Sequence, residues 1–144
     1  MFTVMHVYSC FCLFRSLPSI HMNKPMLILI AGPYRSGTND EPEQLAKNLE
    51  FLESAAWPIF EAGHIPMIGE WVALPVMAGI NSVVGDDASL TVLTPTAERL
   101  LQHCDGVLRL PGDSTGADND VRIANERGIP VFTSVDELPR HDAV

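Results

Sequence analysis

The sequence predicts an α/β fold in which a parallel sheet of four or five strands is covered by helices on both faces. Short apolar runs typical of buried strands alternate with segments whose apolar residues recur at helical spacing. Glycine, proline and acidic residues mark most of the boundaries between them. Because parallel strands joined by helices bury both faces of the sheet, this alternation favours a three-layer domain.

Composition limits the function classes. The chain has 144 residues, of which 47% are hydrophobic and 19% charged, as expected for one folded globular domain. Its net charge is −9 and no basic run is dense, so we expect no nucleic acid partner. Cys10, Cys12 and Cys104 form neither a disulfide framework nor a metal-ligand pattern with His64 and His103. We therefore expect no metal, no cofactor and a cytoplasmic location.

Residues 1–21 differ from the rest of the chain. Residues 2–14 are mostly apolar, but no positive region precedes them and no clean small-residue cleavage site follows Arg15. The stretch is also too short to span a bilayer, so we expect no membrane partner. The preferred interpretation is a non-native or disordered extension, with a single domain over residues 22–144; an export signal is the alternative.

The first strand is predicted at residues 26–31, a continuous apolar run that Gly-Pro ends. A helix is expected to begin near Pro42 with Asn39 or Asp40 as its cap, and to kink or end at Pro58. Its apolar face carries Leu45, Leu49, Leu52 and Ala56.

The second strand is predicted at residues 64–68. Pro66 cannot donate a ladder hydrogen bond, which places this strand at the edge of the sheet. An edge second strand fits the order 2-1-3-4 and a flavodoxin-like or Rossmann-like three-layer sandwich. Residues 69–93 are expected to form short helical pieces and loop, as a pocket lid or an oligomer contact.

The remaining elements follow the same alternation. Thr94-Pro95 is expected to open a helix, and a strand is predicted at residues 107–110. The loop at 113–120 leads into a further helix, whose expected packing face includes Gly128. Residues 129–133 are predicted to form the fourth strand, and the capping-box spacing at 134–137 indicates a short terminal helix.

Two loops about eighty residues apart carry the functional signal. They span residues 31–37 and 110–120, and each follows a predicted strand. In an open parallel sheet, ligands collect at the carboxyl ends of the strands where the strand order reverses. We therefore expect one pocket with Tyr34 on one wall and acidic residues on the other.

The second loop has the features of an anion site. Gly112 and Gly116 allow close backbone approach, the hydroxyls of Ser114 and Thr115 can donate hydrogen bonds, and a helix N-terminus follows. The plainer interpretation is that Asp113 or Ser114 caps the helix, and both interpretations can hold together.

Asp118 and Asp120 lie in the first turn of the helix that follows. The helix dipole stabilises such charges by about 0.3 to 1 kcal/mol, which is sufficient reason for acidic residues there. A carboxylate that acts chemically would suit a centre that becomes positive, such as an anomeric carbon. The loop and the carboxylates together suggest sugar chemistry beside a phosphate or a hydroxyl-rich ligand.

Other candidates have structural alternatives, and for Glu70 and Trp71 the structural one is preferred. Gly32 and Pro33 shape the first loop, and Arg35 could bind phosphate or pair with an acid. Glu70 and Trp71 follow the second strand, where Trp71 could stack on a base or simply pack in a lid beside a solvated Glu70.

Three segments resemble one known superfamily: Ala31-Gly32-Pro33-Tyr34-Arg35 after a strand, Cys104-Asp105 before a strand, and Ser114-Thr115-Gly116-Ala117-x-x-Asp120. They are similar to the nucleoside 2-deoxyribosyltransferase superfamily, and more narrowly to its small bacterial DUF4406-type branch. The resemblance covers residues 26–132.

The resemblance implies a mechanism and an assembly. In that superfamily a carboxylate attacks the anomeric carbon of a deoxynucleoside, the base leaves, and a second base or water completes the reaction with retention. The nucleophile, typically Glu, falls on Asp120, with Asp118 as the alternative, and Tyr34 would hold the nucleophile or the sugar. The family's Asp before the helix leading into the third strand has no counterpart, because residues 94–98 read Thr-Pro-Thr-Ala-Glu. Family members generally form homo-oligomers, which we also expect here.

The predicted function is therefore nucleoside or nucleotide binding, with N-glycosidic bond cleavage or transfer if the protein is an enzyme. A non-catalytic nucleotide-binding module is one alternative. A phosphoribohydrolase-like enzyme is another, although the double glycine of its loop is absent here.

Overall fold

The computed structural model describes residues 24–141, so the expected extension at 1–21 lies outside the described residues. Four parallel strands lie in the order β2-β1-β3-β4, which confirms the predicted α/β fold of flavodoxin-like or Rossmann-like type. The strands are β1 (Leu27–Ala31), β2 (Ile65–Ile68), β3 (Gly106–Arg109) and β4 (Val131–Phe132). The helices are α1 (Pro42–Glu53), α2 (Ala56–Glu61), α3 (Gly69–Gly79), α4 (Ser89–Leu101) and α5 (Thr115–Arg127), followed by a short 3-10 helix at Val135–Glu137.

Strand β1 supplies side chains to both layers of the core. Ile28 and Ile30 pack on the side of α1 and α2, whereas Leu29 and Ala31 pack on the side of α4 and α5. All four are at most 3% exposed. Full burial of a large aliphatic side chain stabilises a fold by about 1.5–3 kcal/mol, so this central strand anchors both layers.

Strand β2 forms one edge of the sheet, as Pro66 predicted. Pro66 is in register with Ile28 of β1, and β2 pairs with no other strand among residues 24–141. Because β2 has no strand on its outer side among these residues, the backbone N–H that Pro66 lacks is not needed for a second ladder of hydrogen bonds. No helix in this part of the chain combines the length and the apolar character that crossing a bilayer demands.

The start of α1 differs from the expectation in its cap. The helix begins at Pro42 as predicted, but no side chain caps it. Asn39 and Asp40 have φ angles of 50° and 59°, and the Asp40 carboxylate accepts hydrogen bonds from Arg35. The predicted cap was wrong because the ion pair holds Asp40 away from the helix.

Pro58 lies inside a helix rather than at its end. The break falls between α1 and α2, and Pro58 is the third residue of α2. In the first turn of a helix the backbone N–H groups have no intrahelical partner, so proline removes no hydrogen bond there.

The segment predicted to be irregular is mostly helical. Asp86 organises the turn before α4, because its carboxylate accepts hydrogen bonds from Ser82 Oγ at 2.7 Å, Val83 N at 2.9 Å and Ser89 N at 2.8 Å. Helix α4 therefore begins at Ser89, and the predicted start at Thr94-Pro95 was wrong. Packing of α3 against α4 accommodates Pro95, as it does Pro75 in α3.

Helix α5 has the cap that the sequence predicted. The hydroxyl of Ser114 accepts a hydrogen bond from Ala117 N at 3.2 Å. At the other end, Gly128 has a φ of 71° and terminates the helix in the left-handed conformation. Gly128 is thus an exposed terminator and not part of the packing face, where Ile123 and Ala124 are buried instead.

The C-terminal segment is tied to the sheet through His64. This buried histidine accepts a hydrogen bond from Met26 N at 3.1 Å on Nδ1 and donates one from Nε2 to the Pro139 carbonyl at 2.5 Å. Beside it, His141 N donates to the Ala62 carbonyl at 3.0 Å. His64 is therefore structural, which agrees with its position at a strand boundary.

We predict that Gly63→Ala destabilises the fold by about 2–4 kcal/mol, because strain and overpacking add there. Gly63 has a φ of 89°, and a Cβ on it would lie 1.9 Å from the His141 carbonyl oxygen. Gly79→Ala is the control, since a Cβ there meets nothing within 4 Å and should change stability by less than about 1 kcal/mol. Urea unfolding of both variants is the measurement, and equal midpoints would contradict the prediction.

Candidate functional site

A cleft of about 780 Å³ opens at the carboxyl edge of the sheet, between the loop after β1 and the loop after β3. These are the two loops that the sequence singled out. Strand β2 lies on one side of β1 and β3 on the other, so the cleft occupies the point where the strand order reverses. Its volume suits a small-molecule ligand.

Direct contacts hold the two loops together. Ser114 Oγ donates to the Gly32 carbonyl at 3.3 Å, and a Cβ on Gly112 would lie 3.0 Å from Pro33 Cγ. A Cβ on Gly32 would lie 2.7 Å from Leu52 Cδ2. A side chain at position 32 would require Leu52 to shift, and Gly112 allows the second loop to approach the first.

Most of the predicted site residues line this cleft. They are Gly32, Tyr34, Arg35, Glu70, Ser114, Thr115, Gly116 and Asp120. Four others lie outside the lining, namely Pro33, Gly112, Trp71 and Asp118. Pro33 and Gly112 still contribute, because their contact brings the loops together.

Asp118 is turned away from the cleft and braces the second loop. Its side chain is 69% exposed and accepts a hydrogen bond from Arg109 Nη2 at 2.8 Å. Arg109 also donates to the backbone carbonyls of Leu110 and Gly112. Asp118 therefore holds Arg109 across the loop, and Asp120 is the carboxylate that reaches the cleft from α5.

Trp71 has a partner outside the cleft. Its indole Nε1 donates to Glu53 Oε1 at 2.9 Å, and the residue is 39% exposed. The structure therefore places Trp71 beside α1, whereas the neighbouring Glu70 faces the cleft from the first turn of α3.

Asp120 has the most perturbed carboxyl of the site. Desolvation by burial, followed by the negative charges of Glu70 and Glu98, raises its pKa to about 7, against a smaller opposing effect of Arg109. A carboxyl with a pKa near neutrality can exchange a proton with a ligand under physiological conditions.

Glu70 is the electrostatic neighbour that Tyr34 and Asp120 share. Burial raises the pKa of Glu70, and the charge of Glu70 in turn raises the pKa of Asp120 and of the Tyr34 phenol. Glu70 of α3 therefore acts electrostatically on both Asp120 of α5 and Tyr34 of the loop after β1.

Tyr34 both packs and lines the cleft. It is only 8% exposed and belongs to the core cluster with Leu45 and Leu52. Burial is the main cause of its raised pKa. Within residues 24–141 its hydroxyl makes no hydrogen bond, while its backbone carbonyl accepts one from Asn48 Nδ2 at 2.7 Å.

Arg35 is paired with an acid. Its Nε and Nη2 donate to the two carboxylate oxygens of Asp40 at 2.8 and 2.9 Å. This hydrogen bonding lowers the pKa of Asp40 and raises that of Arg35. The pairing is the second of the two roles that the sequence left open for Arg35.

Glu98 is a cleft residue that the sequence analysis missed. The error follows from the misplaced start of α4. Because the helix begins at Ser89, one face of it runs along the cleft from Leu90 to Glu98. Residues at helical spacing on that face line the cleft, namely Leu90, Leu93, Thr94, Ala97 and Glu98. This spacing was the available signal, but Pro95 masked it because the sequence analysis took this proline as the start of the helix.

No family model matches the chain, and no curated protein matches it either. Within residues 24–141, no group of three or more His, Cys, Asp or Glu side chains is arranged to hold a metal ion.

We predict that Asp120→Asn stabilises the fold in a pH-dependent manner. Because the folded-state pKa lies above the ordinary value of 3.8, the folded protein keeps a proton that the unfolded chain releases. As the pH rises from 3.8 to about 7, Asp120 ionises in the unfolded chain but stays protonated in the folded protein. The free energy of unfolding therefore falls across this range.

The stability gain of Asp120→Asn should grow across this window to about 1–3 kcal/mol and then level off. Thermal unfolding at several pH values measures it. A gain that is the same at pH 5 and pH 8 would contradict the assignment of the raised pKa.

Proposed function

We propose that the protein binds a nucleoside or a related ribosyl compound in the cleft and cleaves or transfers its N-glycosidic bond. One observation carries the proposal: a half-buried carboxyl, Asp120, shares a ligand-sized cleft with Tyr34 and with Glu70 and Glu98, two carboxyl groups that have no cationic partner in the described lining. This arrangement suits a reaction centre that becomes positive.

Asp120 would act as the nucleophile. Its ionised oxygen attacks the anomeric carbon, the C–N bond breaks, and the electron pair leaves with the base. A second base or water then attacks the glycosyl ester and releases the Asp120 carboxylate, with retention overall. The negative field of Glu70 and Glu98 favours the oxocarbenium-like transition state.

Tyr34 would bind the sugar. Its hydroxyl has no partner among residues 24–141 and lies in the same cleft, so a ligand hydroxyl can complete its hydrogen bonding. The ring is held by the core and by the Asn48 contact to its backbone, so the hydroxyl is positioned before the ligand binds.

The resemblance to the nucleoside 2-deoxyribosyltransferase superfamily supports the same roles. Asp120 falls at the nucleophile position and Tyr34 at that of the family tyrosine. The family's Asp ahead of the third strand is missing from the sequence pattern, but Glu98 brings a carboxyl to the cleft from that segment.

A binding module without catalysis is the second candidate. The observation that favours it is the pKa of Asp120, about 7, because the protonated form cannot attack carbon but can donate a hydrogen bond. Stabilisation by nucleosides or nucleotides without any release of base would select this candidate.

We predict base release from at least one member of a panel of deoxynucleosides and their monophosphates. Because the nucleophile must be ionised, kcat/KM should rise with pH up to about 7 and be constant above it. Asp120→Asn should lower kcat/KM by about a thousandfold or more. Chromatography of the released base is the measurement.

Glu126→Gln is the matched control, since Glu126 lies in the same helix but outside the cleft lining and pairs with Arg122. Its activity should stay within about threefold of the wild type. No base release across the panel, or equal losses in the two variants, would reject Asp120 as the nucleophile.

We also propose that the chain forms a homo-oligomer. Trp57 and Phe60 of α2 are 66% and 63% exposed, with ring centroids 5.8 Å apart. An exposed aromatic pair of this kind is a common anchor of protein interfaces.

Sedimentation velocity tests this assembly. Trp57→Ser combined with Phe60→Ser should shift the distribution towards monomer, whereas Glu61→Gln on the same helix should not. A wild-type chain that sediments as a monomer at all concentrations would exclude self-association.

A further inference from the structure

We propose that the cleft selects N-glycosides whose base carries a positive charge, such as pyridinium or N-alkylated purine ribosides, over neutral and phosphorylated ones. The inference rests on the proposed function, because it takes the ligand to be a ribosyl compound in this cleft.

The charges around the cleft are unbalanced. Among the lining residues that the structure describes, Arg35 is the one Lys or Arg, and it stands against four acids: Asp40, Glu70, Glu98 and Asp120. Two hydrogen bonds of 2.8 and 2.9 Å commit Arg35 to Asp40, so this pair is neutral as a unit. Three carboxyl groups remain without a cationic partner in the lining.

These three groups surround the space from different elements. Glu70 lies in the first turn of α3, Glu98 in the C-terminal half of α4 and Asp120 in the first half of α5. Arg109 acts on Asp120 from outside the lining but is already paired with Asp118. A cation among the three carboxylates would relieve a repulsion that the chain itself leaves uncompensated.

The same contacts disfavour a phosphate. Ser114 Oγ donates to the Gly32 carbonyl at 3.3 Å and accepts from Ala117 N at 3.2 Å, so its proton is already used. Arg35 Nη1 can still donate, but the positive charge of Arg35 is already balanced by the bidentate pair with Asp40. The Thr115 hydroxyl and the backbone N–H groups at the start of α5 could still donate to a phosphate, but the described lining offers no unpaired cationic side chain to balance its charge, and Glu70, Glu98 and Asp120 would repel it.

Tyr34 gives an independent sign of a ligand. This side chain is more than nine-tenths buried, lines the cleft, and has a hydroxyl with no hydrogen bond among residues 24–141. The hydroxyl is not sealed in the core, because the described residues contain no buried polar side-chain atom that lacks a partner. The hydroxyl is therefore accessible, and because Tyr34 lines the cleft, a sugar hydroxyl bound there can pair with it.

A cationic base also simplifies the reaction. The Asp120 carboxylate forms a bond to the anomeric carbon while the C–N bond breaks. The electron pair of the C–N bond passes to the ring nitrogen and neutralises its positive charge. The base leaves as a neutral molecule and needs no proton. Water then hydrolyses the glycosyl ester, giving the free sugar, one proton and the Asp120 carboxylate.

Binding of three probes tests the selection. Nicotinamide riboside carries the positive charge, 1,4-dihydronicotinamide riboside is its neutral counterpart of nearly the same shape, and nicotinamide mononucleotide adds a phosphate. Isothermal titration at pH 8 should give nicotinamide riboside a Kd at least about tenfold lower than either other probe. This advantage should shrink at high salt.

Two variants separate the cleft from the general charge of the protein. Glu98→Gln should reduce the preference for the cation several-fold, whereas Glu126→Gln should not, because Glu126 lies outside the cleft lining and pairs with Arg122. Equal loss in both variants would assign the preference to net charge and overturn the inference.

The failure of this inference can be told from failure of the proposed function. Equal Kd values for the charged and neutral ribosides, or tighter binding of the mononucleotide, would overturn the selection, while base release from neutral deoxynucleosides would leave the proposed function intact. No binding of any probe together with no base release would overturn both.

Discussion

The site depends on the close approach of two loops at the carboxyl edge of the sheet. A side chain at position 32 would displace the Leu52 methyl group, and a Cβ on Gly112 would press against Pro33. The Ser114 hydroxyl then links the loops through the Gly32 carbonyl while it caps α5. Because one residue both begins the helix and joins the loops, the position of Asp120 relative to Tyr34 follows from the packing of the sheet edge.

Electrostatics gives this geometry its chemical character. The cleft gathers carboxyl groups from three helices, while the nearest guanidinium groups are held by Asp40 and Asp118. Burial and mutual repulsion therefore favour the protonated form of Asp120 and make the empty cleft receptive to positive charge. A transition state with charge at an anomeric carbon and a ligand with charge on its base would benefit from the same field.

The fold was predictable because its signals are local and agree with one another. The apolar run of β1, Pro66 at an edge and the Ser114 cap each follow from one residue type and its neighbours. The errors occurred where the choice among several nearby hydrogen-bond partners decided the outcome. Asp40 pairs with Arg35 instead of capping α1, and Asp86 starts α4 before its proline, so Glu98 could not be placed from the sequence. Likewise, Asp118 and Asp120 share one helical turn, and only the contact with Arg109 shows which of them leaves the cleft.

The most direct test of the account is an NMR titration of the Asp120 side-chain carboxyl carbon, with and without deoxyadenosine. The account predicts a midpoint near the pKa of about 7, and a ligand-induced shift of both the Asp120 carboxyl and the Tyr34 ring signals. A midpoint near the ordinary value of 3.8, with neither signal moved by the nucleoside, would contradict the claim that these two residues face a common ligand.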